Sequence, residues 1–146
     1  MGAPPTGCLA CDLSSGVREP PGGCIHEADG WRVEHCVGPL GVGTLVVKPA
    51  RHVLHVADLS ADEANAAGPL LWRAAQVVSE LSAPAQVYVC LWSSGPAHIH
   101  WVVQPVRRRQ ETDVRGPFLQ AAMFAANEPI DIEQAAQYAE RARAVW

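Results

Sequence analysis

Residues 43–63 read GTLVVKPARHVLHVADLSADE, and residues 98–105 read HIHWVVQP. Gly43 to Val47 is a short β-prone run, and Trp31 to Val37 is another, with a turn around Gly38-Pro39 between them. Together they predict an antiparallel hairpin. A helix is predicted from Ser60, because Ser60 and Glu63 form a capping-box pair in which each side chain satisfies a free backbone N–H. Ala67, Leu71, Ala74, Val78 and Leu81 then recur at helical spacing and define one buried stripe. Gly68-Pro69 predicts a bend or break in the first turns, and Pro84 a stop. Gln86 to Trp92 and His98 to Gln104 predict two further strands joined by a short Ser/Gly loop.

Beyond Pro105 the character changes. Arg107, Arg108 and Arg109 open a polar loop, and Pro117 stands near a helix start with Phe118, Ala121, Ala122 and Ala125 on one face. Asp131 and Gln134 suggest a second cap before Ile132, Ala135, Ala139 and Ala142. The order predicts an α+β fold: an antiparallel sheet with a long central helix and additional C-terminal helices. One domain is expected over 1–146, with an N-terminal segment (1–29), a core (30–105) and a loop-and-helix tail (106–146).

Composition narrows the function classes. Of 146 residues, 49% are hydrophobic and 18% charged, which excludes wholesale disorder. No run approaches the roughly 18 apolar residues of a membrane-spanning helix. The net charge of −4 offers no global attraction to nucleic acid or to an anionic membrane. The opening MGAPPTG lacks a basic region and an apolar run, so a secretory signal is not expected and a reducing, cytoplasmic setting is. The unusual counts are five cysteines and six histidines, which in that setting argue for metal or catalysis.

His98 and His100 are two apart in a predicted strand, so they share a face with Val102 and Gln104. Burying two imidazoles without partners is costly, which favours a working role over a structural one. Cys8-Leu9-Ala10-Cys11 is a CxxC, whose spacing lets both thiolates reach one tetrahedral ion. A redox pair is the competing reading, but it belongs between a strand and a helix, and no such setting is visible here. The remaining ligands would come from His52, His55, His98 or His100, with Cys24 as a substitute. Cys36 and Cys90 alternate with valine and read as core. Lys48 and Arg51, near His52, are candidates to hold an anion, and Arg107 to Arg109 to meet phosphate or nucleic acid, with solvated surface as the default role of all five. Trp101 reads as core or dimer packing, and Trp146 as either a contact with a partner subunit or a frayed end.

From about Cys8 to Pro105 the order of these motifs resembles the histidine-triad (HIT) superfamily. The anchors are the hairpin ending in Val-Lys-Pro, His52 after it, the Asp-Leu-Ser helix start and the His-x-His strand before Pro105. The resemblance implies a nucleotide hydrolase or transferase in which the second strand histidine, here His100, attacks an α-phosphorus and forms a covalent nucleotidyl-histidine. It also implies one structural zinc per chain on Cys8, Cys11, His52 and His98, and a homodimer. The loop residues Ser93, Ser94 and Gly95, together with Gln104, take the substrate-binding positions. The pattern is incomplete. The third strand histidine is Val102, a hairpin histidine is replaced by Gly43, the acidic ribose-holding position falls on His35, and the phosphate loop is cut short. Losing one preorganised donor lowers a rate by about 10²–10³-fold. Two alternatives therefore stand beside nucleotide chemistry. One is a diverged enzyme acting on a non-nucleotide small molecule, with His100 as acid/base or with zinc assisting; the other is a non-catalytic zinc-stapled binding module.

Overall fold

Antiparallel pairing of five short strands organises the chain. The computed structural model describes residues 7–94, 97–109 and 114–146. In chain order the strands are β1 (Cys24–Ala28), β2 (Trp31–His35), β3 (Leu45–Pro49), β4 (Gln86–Cys90) and β5 (Trp101–Val106), and the sheet order is β1-β2-β3-β5-β4. The helices are α1 (Leu9–Ser15), α2 (Ala61–Ser82), α3 (Pro117–Ala126) and α4 (Ile132–Val145). This is the expected α+β architecture, with its long helix and its C-terminal helices.

Period-two alternation divides the sheet into two unlike faces. Trp31 and Val33 of β2, Leu45 and Val47 of β3 and Val103 of β5 are fully buried on one face, against Ala74, Val77 and Val78 of α2 and Ala139 and Ala142 of α4. Each large apolar side chain buried there contributes about 1.5–3 kcal/mol. Trp101 packs at a tilt on Trp31, 5.3 Å between ring centres, and so belongs to this core. The opposite face carries Glu34, Lys48, Val102 and Gln104, and this is the side that α1 and α3 cover through Lys48 and Gln104.

The helix caps follow from the sequence. Ser60 Oγ accepts from Glu63 N–H at 3.2 Å, and Glu63 Oε2 accepts from Ser60 N–H at 2.7 Å. Asp131 accepts from Gln134 N–H at 3.0 Å to open α4. The expected break at Gly68-Pro69 does not occur, and α2 runs through both residues. Both are exposed, so the carbonyl that loses its N–H partner to Pro69 faces water rather than protein.

Among its described residues, the segment 1–29 holds α1 and β1. β1 turns into β2 through Asp29-Gly30, both at positive φ (52° and 78°), the two-residue turn whose twist suits a hairpin. Next, α3 buries Leu119 and Gln120, while Phe118, Ala121, Ala122 and Ala125 face solvent. The sheet beneath α3 presents Gln104 and Cys90, and the Gln120 amide donates to both, so hydrogen bonding and not apolarity selects that face. Last, Trp146 does not fray: its ring stacks on His26 of β1 at 4.8 Å. Arg143 of α4 also donates to the carbonyls of Cys24 and Gly22, and at Gly22 a Cβ would stand 2.6 Å from Ala136 O.

His35 fixes the long loop between β2 and β3. Its Nδ1–H donates to Cys36 O at 2.8 Å, its Nε2 accepts from Gly43 N–H at 2.9 Å, and Tyr138 meets the ring edge-on. Burial holds its pKa below the ordinary 6.5, and the ring must stay neutral to accept from Gly43. Above that value the ring is neutral whether the chain is folded or unfolded. Below it only the unfolded chain gains the proton, so stability falls with falling pH. Urea midpoints should therefore decline between about pH 7.5 and about pH 5.5, and decline less steeply in His35→Gln. Parallel pH profiles for the two proteins would show that His35 does not titrate in this way.

Candidate metal centre and reactive histidine

Four donors from three separate parts of the chain meet beside β3. Cys8 and Cys11 come from the start of α1, His52 from the turn after β3, and His98 from the extended segment before β5. Their ligand atoms all lie within 4.8 Å of one another, and among the described residues this is the one such group. Cys11 Sγ stands 3.3 Å from His52 Nδ1 and 3.5 Å from His98 Nδ1. A tetrahedral ion with Zn–S of about 2.3 Å and Zn–N of about 2.0–2.1 Å has S···N edges of about 3.6 Å. Two thiols and two imidazoles at these separations fit that geometry.

The environment prepares each donor. His98 Nε2–H donates to the carbonyl of Pro49 at 2.8 Å, so Nδ1 is left as a lone pair turned to Cys11. Burial lowers the His98 pKa to about 4, which keeps the imidazole neutral and available as a ligand. Burial and the adjacent Cys8 thiol push Cys11 up to about 11. A cation joining the cluster would favour the Cys11 thiolate, the form that binds metal.

Pro49 also explains why the histidines lie outside the strand. The β3–β5 register pairs Leu45 with Val103 and Val47 with Trp101, and continuing it would set Pro49 opposite Ile99. Pro49 has no N–H to give, so the ladder stops and β5 begins at Trp101, not at His98 as expected. Ile99 N–H instead donates to Val53 O at 2.9 Å, which brings His98 beside His52. The ring centres of the two histidines are 5.2 Å apart.

His100 is held in the other tautomer. Its Nδ1 lies 2.9 Å from the carbonyl of His98, and since a carbonyl only accepts, Nδ1 carries the proton. In the neutral ring the lone pair then falls on Nε2. His100 is half-buried and lines a cavity of about 530 Å³, together with Cys8, His98, Val102 and Ser94.

The other anticipated residues are placed as follows. Ser93 is exposed and donates to Ala97 O at 3.3 Å. Ser94 lines the cavity. Gly95 lies outside the described residues. Gln104 is fully buried, donating to Leu40 O at 3.3 Å and accepting from Gln120 at 2.9 Å, so its amide is engaged beneath α3 away from the cavity. Cys24 donates to backbone carbonyls of β1 and β2, and His55 is exposed; neither joins the metal cluster. Arg51 grips Glu63 with two nitrogens at 2.7 and 2.8 Å, and this guanidinium holds the Glu63 carboxyl down to about 2. Arg107 to Arg109 are exposed.

One pair was not anticipated. Lys48 and Glu34 are each 1% exposed and form an ion pair against the cavity. Lys48 Nζ also donates to Ala10 O at 2.9 Å, the carbonyl between the two cysteines. The signal lay in strand alternation: with Val33 and Val47 turned to the core, Glu34 and Lys48 must share the other face. It was obscured because a lysine in a short strand reads as surface. The acid on the cavity side is thus Glu34 and not its neighbour His35, whose nitrogens are both bonded to backbone.

No protein-family profile and no curated protein matches the sequence. Solved structures do. A Hit-like protein involved in cell-cycle regulation from Bartonella henselae is 14% identical with a TM-score of 0.75, over 99% of this chain and 100% of its own. A Zn-bound histidine triad family protein from Mycobacterium smegmatis is 18% identical with a TM-score of 0.69, over 95% of this chain and 94% of its own. A hypothetical histidine triad nucleotide-binding protein from Sulfolobus tokodaii is 12% identical with a TM-score of 0.70, over 94% and 90%. The five-stranded antiparallel sheet, the long α2 and these matches identify the chain as a protein of the histidine-triad fold.

Proposed function

We propose that this protein is a HIT-type hydrolase or transferase that acts at an α-phosphorus through His100, with one structural zinc on Cys8, Cys11, His52 and His98. The observation that carries the reading is the fixed tautomer of His100, whose unprotonated Nε2 belongs to a ring lining the cavity. A neutral imidazole nitrogen is nucleophilic near neutral pH, and a covalent intermediate divides one hard displacement into two easier ones. In the first, the Nε2–P bond forms as the bond from phosphorus to the leaving oxygen or nitrogen breaks, and the leaving atom takes up a proton. In the second, water attacks phosphorus, the P–N bond breaks, and the nucleoside monophosphate departs with Nε2 regenerated.

The zinc reading is supported by the donor set and by the Zn-bound relative from M. smegmatis. Four protein ligands leave no open position, so the ion supplies a rigid cross-link and no reactive water. Lys48 holds the carbonyl of Ala10, and Pro49 holds the ring of His98, so both sides of the site are braced. Free cysteines accord with a reducing, cytoplasmic setting, and among the described residues no helix is long and apolar enough to cross a membrane. Exposed Trp72 on α2 and Val89 on the edge strand β4 offer apolar surface for the expected homodimer.

A second reading keeps the fold and changes the substrate to a non-nucleotide small molecule. Val102 in place of a third histidine favours it, because the cavity then lacks one donor for phosphate.

Two measurements test these proposals. His100→Ala should lower turnover of nucleoside phosphoramidates by at least about 10³-fold, and the wild type quenched during turnover should carry one nucleotidyl mass that the variant lacks. Unchanged turnover, or no adduct and no turnover in the wild type, removes the nucleotide reading. Metal analysis should find zinc equimolar with chain, and Cys8→Ser or Cys11→Ser should lose both the metal and thermal stability. Equal zinc in variant and wild type would refute the assignment, while activity lost on chelation with the fold intact would make the metal catalytic.

A further inference from the structure

The charge balance of the cavity says what its occupant must be. Among the described residues that line it, Glu34 and Lys48 are the charged side chains, and they are paired with each other. Lys48 is committed further, because Nζ also donates to Ala10 O, and at 1% exposure it cannot swing toward a ligand without leaving Glu34 buried and alone. The wall therefore presents no net positive charge. The ring nitrogens of His35 and His98 are already engaged.

Most of the remaining lining is apolar. Leu9 and Leu13 come from α1, Leu40 from the loop after β2, Val46 and Val102 from the sheet, and Phe124 from α3. At about 530 Å³ the space accepts a drug-sized group. A chain of three or four phosphates entering it would shed water from several negative charges and, among the described lining residues, meet no unpaired cation in return. An apolar body gains by transfer at every wall.

We propose that the cavity beside His100 receives an uncharged, largely apolar moiety, so that the substrate is a phosphoryl monoanion carrying such a moiety and not a polyphosphate chain. This rests on His100 acting at phosphorus, whereas the nature of the cavity's occupant is testable apart from that chemistry. The probe is N-phenyl-1-naphthylamine, a neutral fluorophore that brightens in apolar surroundings, titrated into the zinc-loaded protein. Saturable binding at one site per chain is expected, with inorganic tripolyphosphate and ATP failing to displace it at about 100-fold excess over the probe's Kd. Phe124→Ala and Leu9→Ala, both at partly exposed side chains, should weaken the probe by about five- to tenfold each without unfolding the chain. Failure of the probe to bind, indifference to both substitutions, or displacement by tripolyphosphate at low concentration overturns the proposal. The same titration on His100→Ala should give unchanged probe binding. If the probe behaves as expected while the wild type forms no nucleotidyl adduct, the cavity assignment stands and the phosphorus reading falls.

Discussion

Two thiols and two imidazoles can share one point only if a segment distant in sequence folds back across the sheet. Forty-one residues separate Cys11 from His52, and 87 separate it from His98. Closing such loops costs chain entropy, and α1, at seven residues, is too short to be stable alone. A cation bound by all four donors offsets both terms at once, because the unfolded chain holds no preformed site and the binding free energy becomes folding free energy. Much of the N-terminal architecture depends on that meeting point. It places α1 over the polar face of the sheet, where α1 forms one wall of the cavity.

The same face carries a buried ion pair, which by itself is weak evidence for stability, since replacing such a pair with well-packed apolar groups is often neutral or favourable. Its position is more informative than its energy. Lys48 ties the sheet to the carbonyl between the two cysteines, and Glu34 keeps that ammonium compensated. The pair therefore joins the metal cluster to the cavity floor. Among the described lining residues it also removes the one cationic side chain from service, so the residue that steadies α1 is the one withheld from an anion.

Much of this was legible in the sequence, and the exceptions have physical causes. The capping box at Ser60 and Glu63 and the stripe through Ala74 and Val78 were readable because they are local and periodic. So was the CxxC, because its spacing alone limits what it can bind. The β1–β2 hairpin was obscured by the glycines and prolines around it, although Asp29-Gly30 carried its signal. The orientation of α3 depends on two glutamines finding each other across 16 residues, and periodicity does not encode such a partnership. The end of β5 depended on a proline in a neighbouring strand. Glu34 and Lys48 required trusting strand alternation over the habit of placing charge outside.

Two histidines two residues apart are thus given opposite chemistry by backbone carbonyls. Pro49 O takes the Nε2 proton of His98 and leaves Nδ1 to face the thiols; His98 O takes the Nδ1 proton of His100 and leaves Nε2 unprotonated. Neither choice belongs to the imidazole, whose tautomers are nearly balanced in water. Both follow from the end of the β3–β5 ladder. Were the ladder to continue to Ile99, its N–H would pair with Pro49 O, and the carbonyl that takes the Nε2 proton of His98 would be committed to the sheet. One residue without an N–H, in the strand beside them, therefore separates the proposed ligand from the proposed nucleophile.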